Sequence, residues 1–449
     1  MPTTNDQRPA TNNQRPGIAW FSPLPPTRSG VAAYSAEVLP QLERTLRIDR
    51  FDEARAHDFV WKHRRAPYDL VVYQLGNAPC HDYMWAYLAA YPGLVVLHDA
   101  RLHHARARCL LGADRADDYR REFWYDHPEA PKGFVEYAVA GLGGPIYYFW
   151  SMLRVVMRTA RLIAVHNDRV AAALGESFPD TPIETIRLGK AAPSSAPGAR
   201  ARVRETLGIS ERSPVFAAFG KLTAEKRIAP IVRACSSLVK TGFDAHLLLV
   251  GDGSELGSDG DALAASRRIH VTGHVTDEAI GDYLEAADAC LCLRWPTALE
   301  TSASWLHCLA ARKATVISDL AHLVDIPPSV AMRVELVDED ESLFGAMRQL
   351  AEQSALRDEL AAAGHAYWKA HHTIEATASD YRRVIDLARA RTAPVVADLP
   401  PHFVEDCTSA ARERANRFGL TLDILRAGTA GGAGGAGKAG QAGRAGAAG

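Results

Sequence analysis

The residues best suited to do chemistry lie in the stretch 290–318, CLCLRWPTALETSASWLHCLAARKATVIS. Its pattern predicts a buried strand, a short polar loop, a helix and a second buried strand, with Glu300 in the first turn of the helix. A helix N-terminus gathers free backbone N–H groups and the positive end of the macrodipole, which suits a phosphate. A carboxylate beside it can accept hydrogen bonds from the hydroxyls of whatever the phosphate carries. Phosphate together with polyol is the chemistry of a sugar nucleotide. Thr297 and Glu300 are equally spaced as a capping box, in which the two side chains only satisfy backbone donors. The segment alone leaves both readings open.

Other loops at expected strand ends bear on the choice. Phe219-Gly220-Lys221 runs on to Glu225-Lys226-Arg227. Gly220 allows an unusual backbone, and Lys221 and Lys226 could neutralise a diphosphate leaving group; a surface charge cluster is the alternative. Val250-Gly251-Asp252-Gly253 and Thr272-Gly273-His274-Val275 are further glycine turns, weak singly but placed in the same half of the chain. Near the start, Ser22-Pro-Leu-Pro-Pro-Thr-Arg-Ser29-Gly30 is a rigid turn ending at a helix start, where the backbone can come close to a ligand. It is longer than an ordinary β–α connection and is not the GxGxxG fingerprint, which is absent. Leu97-His98-Asp99 closes a strand, so His98 is expected to face a cleft, where it could hydrogen-bond a substrate or assist proton transfer. The plainer reading makes Asp99 a helix cap and His98 a satisfied core residue. A metal site built from His98, His103 and His104 lacks the accompanying carboxylate and cysteine pattern, and no metal is expected.

Parallel sheets must position these loops. Short apolar runs alternate with amphipathic helical patterns, the signature of βαβ units. Strands are expected at Ile18–Phe21, Leu70–Tyr73, Leu94–Leu97, Leu162–Val165 and Ile183–Ile186, then at Val215–Phe219, His246–Val250, Ile269–Val271, Ala289–Leu293 and Ala314–Ile317. The expected fold class is α/β, two Rossmann-like doubly wound domains facing a central cleft. Residues 1–16 read as a disordered leader and 17–190 as the first domain. A linker at 191–205 follows (the Pro/Ala/Ser-rich KAAPSSAPGARAR begins at Lys190), then a second domain at 206–372. Residues 373–392 read as a helix packing back on the first domain, 393–426 as an extension, and 427–449 as a disordered Gly/Ala tail. The apolar run Gly144–Met157 (GPIYYFWSMLRVVM) reads as a buried helix.

Bulk properties exclude several classes. At 449 residues the chain exceeds one ordinary core. Its 51 basic and 53 acidic residues give a net charge of −2, which offers no global attraction to nucleic acid or anionic lipid. Arg101, Arg106 and Arg108 with His103 and His104 leave open a peripheral membrane contact, against a plain solvated helix face. Seven scattered cysteines without a Cys-x-x-Cys pair suit reduced thiols, and no secretory signal or membrane-spanning stretch is visible. A cytoplasmic location follows as the expectation, with the inner membrane face as a variant.

Taken in order, these motifs resemble the GT-B glycosyltransferases, specifically retaining family 4, across roughly residues 17 to 390. The second half carries Gly220-Lys221 with Glu225-Lys226, Val250-Gly251-Asp252-Gly253, Gly273-His274-Val275 and Arg294-Trp-Pro-Thr-Ala-Leu-Glu300-Thr-Ser. The first half carries Phe21-Ser-Pro-Leu-Pro-Pro, Ser29-Gly30-Val31 and Leu97-His98-Asp99. The resemblance implies that Lys221 and Lys226 grip a donor diphosphate and Glu300 holds the donor sugar, with the backbone of Thr301 and Ser302 at the phosphate. It implies that Gly30 lets the first loop approach the donor, and that His98 lines the reaction centre. It further implies metal-independent transfer with retention, the nucleotide-diphosphate sugar being a substrate and no cofactor being needed. The acceptor would be a polysaccharide, glycolipid or small glycoside.

Many family 4 members carry a second glutamate eight positions after the first, where it binds ribose; here that position is Cys308, a poor hydroxyl acceptor by comparison. The usual Gly-x-Pro after that helix is replaced by Lys313-Ala314-Thr315. These departures keep a catalytically silent nucleotide-sugar-binding or scaffold protein as the main alternative. A nucleotide-sugar epimerase is a third, and would need further cleft carboxylates.

Overall fold

A computed structural model describes residues 15–144, 146–254, 266–404 and 417–418. The expected 427–449 tail and all but the last two residues of the leader lie outside the described residues. Two six-stranded parallel sheets dominate the chain. The first contains β1 (Gly17–Phe21), β2 (Arg47–Phe51), β3 (Leu70–Leu75), β4 (Leu94–Leu97), β5 (Leu162–Val165) and β6 (Ile183–Thr185), in the order β2-β1-β3-β4-β5-β6. The second contains β7 (Val215–Phe219), β8 (His246–Val250), β9 (Ile269–Val271), β10 (Ala289–Cys292), β11 (Ala314–Ser318) and β12 (Met332–Val334), in the order β12-β11-β10-β7-β8-β9. All pairings are parallel, with registers such as Gln74 on Val96 and Cys292 on Ile317.

The central strands are buried along their whole length, which is why they read as apolar runs, broken only by Gln74 in β3 and His246 at the start of β8. The two strands the sequence did not announce are both at sheet edges. β2 (RIDRF) carries three charges and buries only Phe51, while β12 is three residues long.

Strand order fixes where ligands can go. Each sheet reverses its winding once, at β1/β3 and at β7/β10, and the carboxyl ends of strands flanking such a reversal leave a crevice. The loops after β7 and β10 are those that carry Gly220–Lys226 and Arg294–Glu300. Both sheets belong to one compact unit ending at Phe403. One hydrophobic cluster runs through it from Ile18, Trp20 and Val38 to Trp305, Ile317 and Trp368.

The helix Ile374–Arg389 returns to the first sheet. Tyr381 packs on Trp20 with ring centres 5.3 Å apart and meets Tyr34 at 3.1 Å, and Asp380 accepts the Arg187 amide at 3.1 Å.

Two local expectations need correction. Residues 144–157 do not form one buried helix: Ile146–Phe149 and Arg154–Thr159 are separate short helices, and Phe149 is 66% exposed. The buried Asp126 carboxylate takes the amides of Leu153 and Arg154 and so starts the second helix independently. The expected linker at 191–205 is also partly helical. Ala199–Thr206 forms a helix anchored by Arg204, whose buried guanidinium donates to Asp288 at 2.8 Å and to the Ala286 carbonyl at 3.1 Å.

Candidate functional site

The loop leaving β10 is tied down first at Arg294, whose amide donates to Ser318 Oγ at 2.9 Å. Leu299 lies at φ +63°, so the chain turns left-handed immediately before Glu300. The helix therefore begins later than the sequence implied. It spans Ala303–Ala310 with Ser302 as its cap, Ser302 Oγ accepting the Trp305 amide at 3.3 Å. Glu300 sits two residues ahead of that cap, and its partnership with Thr297 closes the turn rather than the helix. Thr297 Oγ1 donates to Glu300 Oε2 at 2.8 Å, the Ala298 amide donates to the same oxygen at 2.9 Å, and Arg294 Nε lies 2.7 Å from Oε1. The carboxylate is thus oriented by three donors and keeps 17% exposure. Beside it, the buried Thr301 hydroxyl has no hydrogen-bond partner.

Next to this loop, Gly220 lies at φ +90°, and a Cβ there would run into the Lys226 ammonium. A Cβ on Gly251 would strike the Gly220 carbonyl, so the two glycines let β7 and β8 end in contact. Lys226 Nζ donates to the Phe219 carbonyl. Burial, and then the neighbouring Arg294 guanidinium, lower its pKa to about 8. An incoming anion would favour its charged form. Gly251 pairs with Gly273 in a single bridge, and the Asp252 carbonyl accepts the Leu222 amide at 2.8 Å. Gly253 and Val275 are half-buried on the same rim, while His274 and Lys221 are exposed.

From the first lobe, Asp99 faces Glu300. Its Oδ2 accepts the Asn77 amide at 2.7 Å. Burial first, then the Glu300 charge, raise its pKa to about 7, against the pull of the Asn77 bond and Arg294. Asp99 does not cap the next helix, as the plainer sequence reading had it; Asn77 Oδ1 accepts the Ala105 amide instead, at 3.1 Å. The lobes touch around Glu300: the Ala100 amide donates to the Ala298 carbonyl at 2.8 Å, and Arg101 bridges the Tyr148 and Thr297 carbonyls. Tyr148 Oη donates to Glu225 Oε1 at 3.0 Å, and Asn167 Nδ2 to the His322 carbonyl at 3.0 Å. A cleft lined by His166, Cys292, Arg294, Glu300, Thr301 and Ser302 lies between these contacts.

His98 has both ring nitrogens engaged, by Gln74 at 2.8 Å and by His166 at 3.1 Å. His166 Nδ1 faces the Ile186 carbonyl at 2.7 Å and must carry the proton there. Burial lowers the His166 pKa to about 4, so its Nε2 is bare and accepts from His98 Nδ1–H. His98, likewise lowered by burial and by His166, then offers a bare Nε2 towards Gln74. The Gln74 amide nitrogen is buried without a partner. A half-turn of that carboxamide lets one NH2 group serve both His98 Nε2 and Tyr381 Oη, the latter 3.1 Å from the present oxygen. The network then closes with every imidazole neutral.

His103 is similarly spent on the Trp150 carbonyl at 3.0 Å and Tyr119 Oη at 2.7 Å. Ser29 caps the helix Gly30–Leu42, accepting the Ala32 amide at 3.0 Å. A Cβ on Gly30 would meet nothing within 4 Å, so the chain itself does not require a glycine there.

Glu300, Thr301 and Ser302 are therefore brought into one cleft. Gly220, Lys226, Gly251 and Gly273 converge at the ends of β7 to β9, joined to the cleft through Arg294. Sequence reasoning missed Asp99, Arg294 and His166 as site residues. His166 carried the same signal as His98, a histidine closing a central strand.

Residues 213–353 match the family model described as glycosyl transferases group 1. No curated protein sequence matches the chain. Among solved structures, sucrose-phosphate synthase from Thermosynechococcus elongatus superposes with a TM-score of 0.59 at 15% identity, covering 83% of this chain and 99% of that one. A glycosyltransferase from Rickettsia africae gives 0.56 at 13%, covering 84% and 100%. HepE from Anabaena, in complex with UDP and glucose, gives 0.57 at 13%, covering 83% and 100%. At such identities the likeness is one of fold, and that fold is GT-B.

Proposed function

We propose that this protein is a glycosyltransferase that moves a sugar from a nucleotide-diphosphate donor to a hydroxyl acceptor with retention at the anomeric carbon. The observation that carries the reading is Glu300, a carboxylate oriented by Arg294, Thr297 and the Ala298 amide at the β7/β10 crevice, within the matched segment. In this reading Glu300 accepts donor-sugar hydroxyls, the orphan Thr301 hydroxyl gains a partner, and the Ser302-capped helix start faces the phosphate. Lys226 and Lys221 offset the charge that develops as the bond from the anomeric carbon to the diphosphate oxygen breaks, which is work a metal would otherwise do. The acceptor oxygen bonds to that carbon on the same face, and its proton passes to the departing phosphate.

The acceptor class expected is a polysaccharide, glycolipid or small glycoside. HepE, which shares the fold, is described in complexes with UDP and with UDP-glucose, and this makes uridine the first base to try. A silent nucleotide-sugar-binding protein is the second reading, favoured by the fully buried Cys308.

Titration calorimetry with nucleoside diphosphates, followed by a diphosphate-release assay on the matching sugars, tests the proposal. One diphosphate should bind and its sugar be slowly hydrolysed, with Glu300→Gln abolishing release. Binding without release in the presence of varied acceptors selects the silent reading, and no binding at all rejects both.

A further inference from the structure

We infer that Cys292 and Cys308 form an oxidation-reactive thiol pair, a modification site at which a peroxide closes a disulfide beneath the nucleotide cleft. Cys292 is the last residue of β10, half-buried, and lines the cleft next to Arg294. Cys308 is fully buried on the helix behind it, and the two sulfurs are 3.9 Å apart. A disulfide needs about 2.05 Å, so each sulfur has to move by about 1 Å, within reach of side-chain rotation and small shifts. Cys290 shares the strand face of Cys292 but is itself fully buried, so it has no exposure to a solvent oxidant.

Access to the cleft favours the same assignment. Cys292 opens onto the cleft beside Arg294, so a peroxide arriving from solvent reaches its sulfur first. Burial, followed by its sulfur neighbours, holds Cys308 well above the ordinary thiol range, so it stays protonated until needed. Cys292 is therefore the attacking thiol and Cys308 the resolving one.

The step balances with hydrogen peroxide as oxidant. Cys292 sulfur attacks one peroxide oxygen, the O–O bond breaks, and the sulfenic acid forms with release of water. Cys308 sulfur then attacks that sulfur, the S–O bond breaks, and the hydroxyl leaves as a second water with the Cys308 proton. Two thiols lose two electrons, and one peroxide becomes two waters.

The consequence for binding rests on the proposed function. A tether at Cys292 displaces the end of β10, and with it the Arg294 amide bonded to Ser318 and the guanidinium that orients Glu300. Oxidation should therefore weaken nucleotide-diphosphate binding.

The test treats the full chain with hydrogen peroxide, blocks remaining thiols with N-ethylmaleimide and maps peptides by mass spectrometry. A Cys292–Cys308 link, lacking two hydrogens and reversed by dithiothreitol, is expected. Cys290→Ser should keep the link, whereas Cys308→Ser should leave a sulfenic acid on Cys292 that dimedone traps. Separate alkylation of Cys292 and Cys308, or a link through Cys290, overturns the inference. UDP affinity of the oxidised protein should fall at least tenfold and return on reduction. A link that leaves UDP affinity unchanged overturns the effect on binding. A reduced protein that forms the link but binds no nucleoside diphosphate counts against the glycosyltransferase reading and leaves the thiol pair standing.

Discussion

His98 Nδ1 and His166 Nε2 lie 3.1 Å apart at the carboxyl ends of neighbouring strands, and with Gln74 at 2.8 Å they leave no His98 ring nitrogen free for a ligand. His166, not His98, lines the cleft, so the His98 ring can bear on it only through His166, and it is held by a network reaching Tyr381 on the helix Ile374–Arg389. His98→Ala should lower kcat at least tenfold while changing the affinity for nucleoside diphosphate less than threefold. Steady-state kinetics beside calorimetry separates the two. Gln74→Leu is the sharper structural test. It strips the buried partners from His98 and Tyr381 together, and should cost about 1–3 kcal/mol in chemical denaturation. An unchanged midpoint would show that the amide carries none of the network.

Asp99 gives the fold a pH signature. Its carboxyl in the native chain titrates near 7, above the unfolded value of about 3.9. Between those values the unfolded chain has released this proton and the native chain has kept it. Rising pH therefore favours the unfolded state, and stability falls from about pH 4 to 7 on this residue's account. Asp99→Asn keeps an oxygen for the Asn77 amide and removes the titration. The variant should be more stable than wild type at pH 8, by about 1–2 kcal/mol given the side chain's partial contact with solvent, with the gain fading towards pH 5. Thermal melts across that range decide it, and a pH-independent difference would detach Asp99 from the effect.

How far the sequence revealed these relationships differs by element. β1, β3 and β7 were legible because both faces of each strand are covered, so β1 and β7 are apolar throughout and β3 is apolar as far as Tyr73. β2 was not, because an edge strand can carry Arg47, Asp49 and Arg50 into solvent. Glu300 was legible as a chemical group but misplaced locally: the positive φ of Leu299 ends the turn before the helix starts, and no propensity places a leucine there. Asp99 and Arg294 acquire their roles from contacts between distant segments. Ala100 meets Ala298, and Arg101 meets Thr297, pairings that no local pattern encodes.

Gly220 tests whether the diphosphate loop needs its backbone. At φ +90° any side chain is strained, and this one would also press on the Lys226 ammonium. Gly220→Ala should cost about 1–2 kcal/mol of stability. Because the same step moves Lys226, nucleoside-diphosphate affinity should drop tenfold or more at a temperature where the variant is still folded. Calorimetry on protein verified as folded by circular dichroism measures this. Native affinity would place the Lys226 side chain outside the binding step.

Arg294 and Glu300 can be separated by a double-mutant cycle. The 2.7 Å contact sits at the cleft with Arg294 at 27% and Glu300 at 17% exposure, so it is neither a free surface pair nor a fully desolvated one. If Arg294 serves to orient Glu300, removing either residue disables the same unit and their effects cannot add. Glu300→Gln should abolish release of nucleoside diphosphate from the donor. Arg294→Ala should reduce it by about 10–100-fold, because Thr297 and the Ala298 amide still hold Oε2. The double variant should match Glu300→Gln alone. Fully additive losses would mean that Arg294 contacts the donor itself, most simply its phosphate, to which a guanidinium can give two parallel hydrogen bonds. In that case Arg294→Lys should recover binding in part, whereas a purely orienting role through a single Nε contact predicts little rescue.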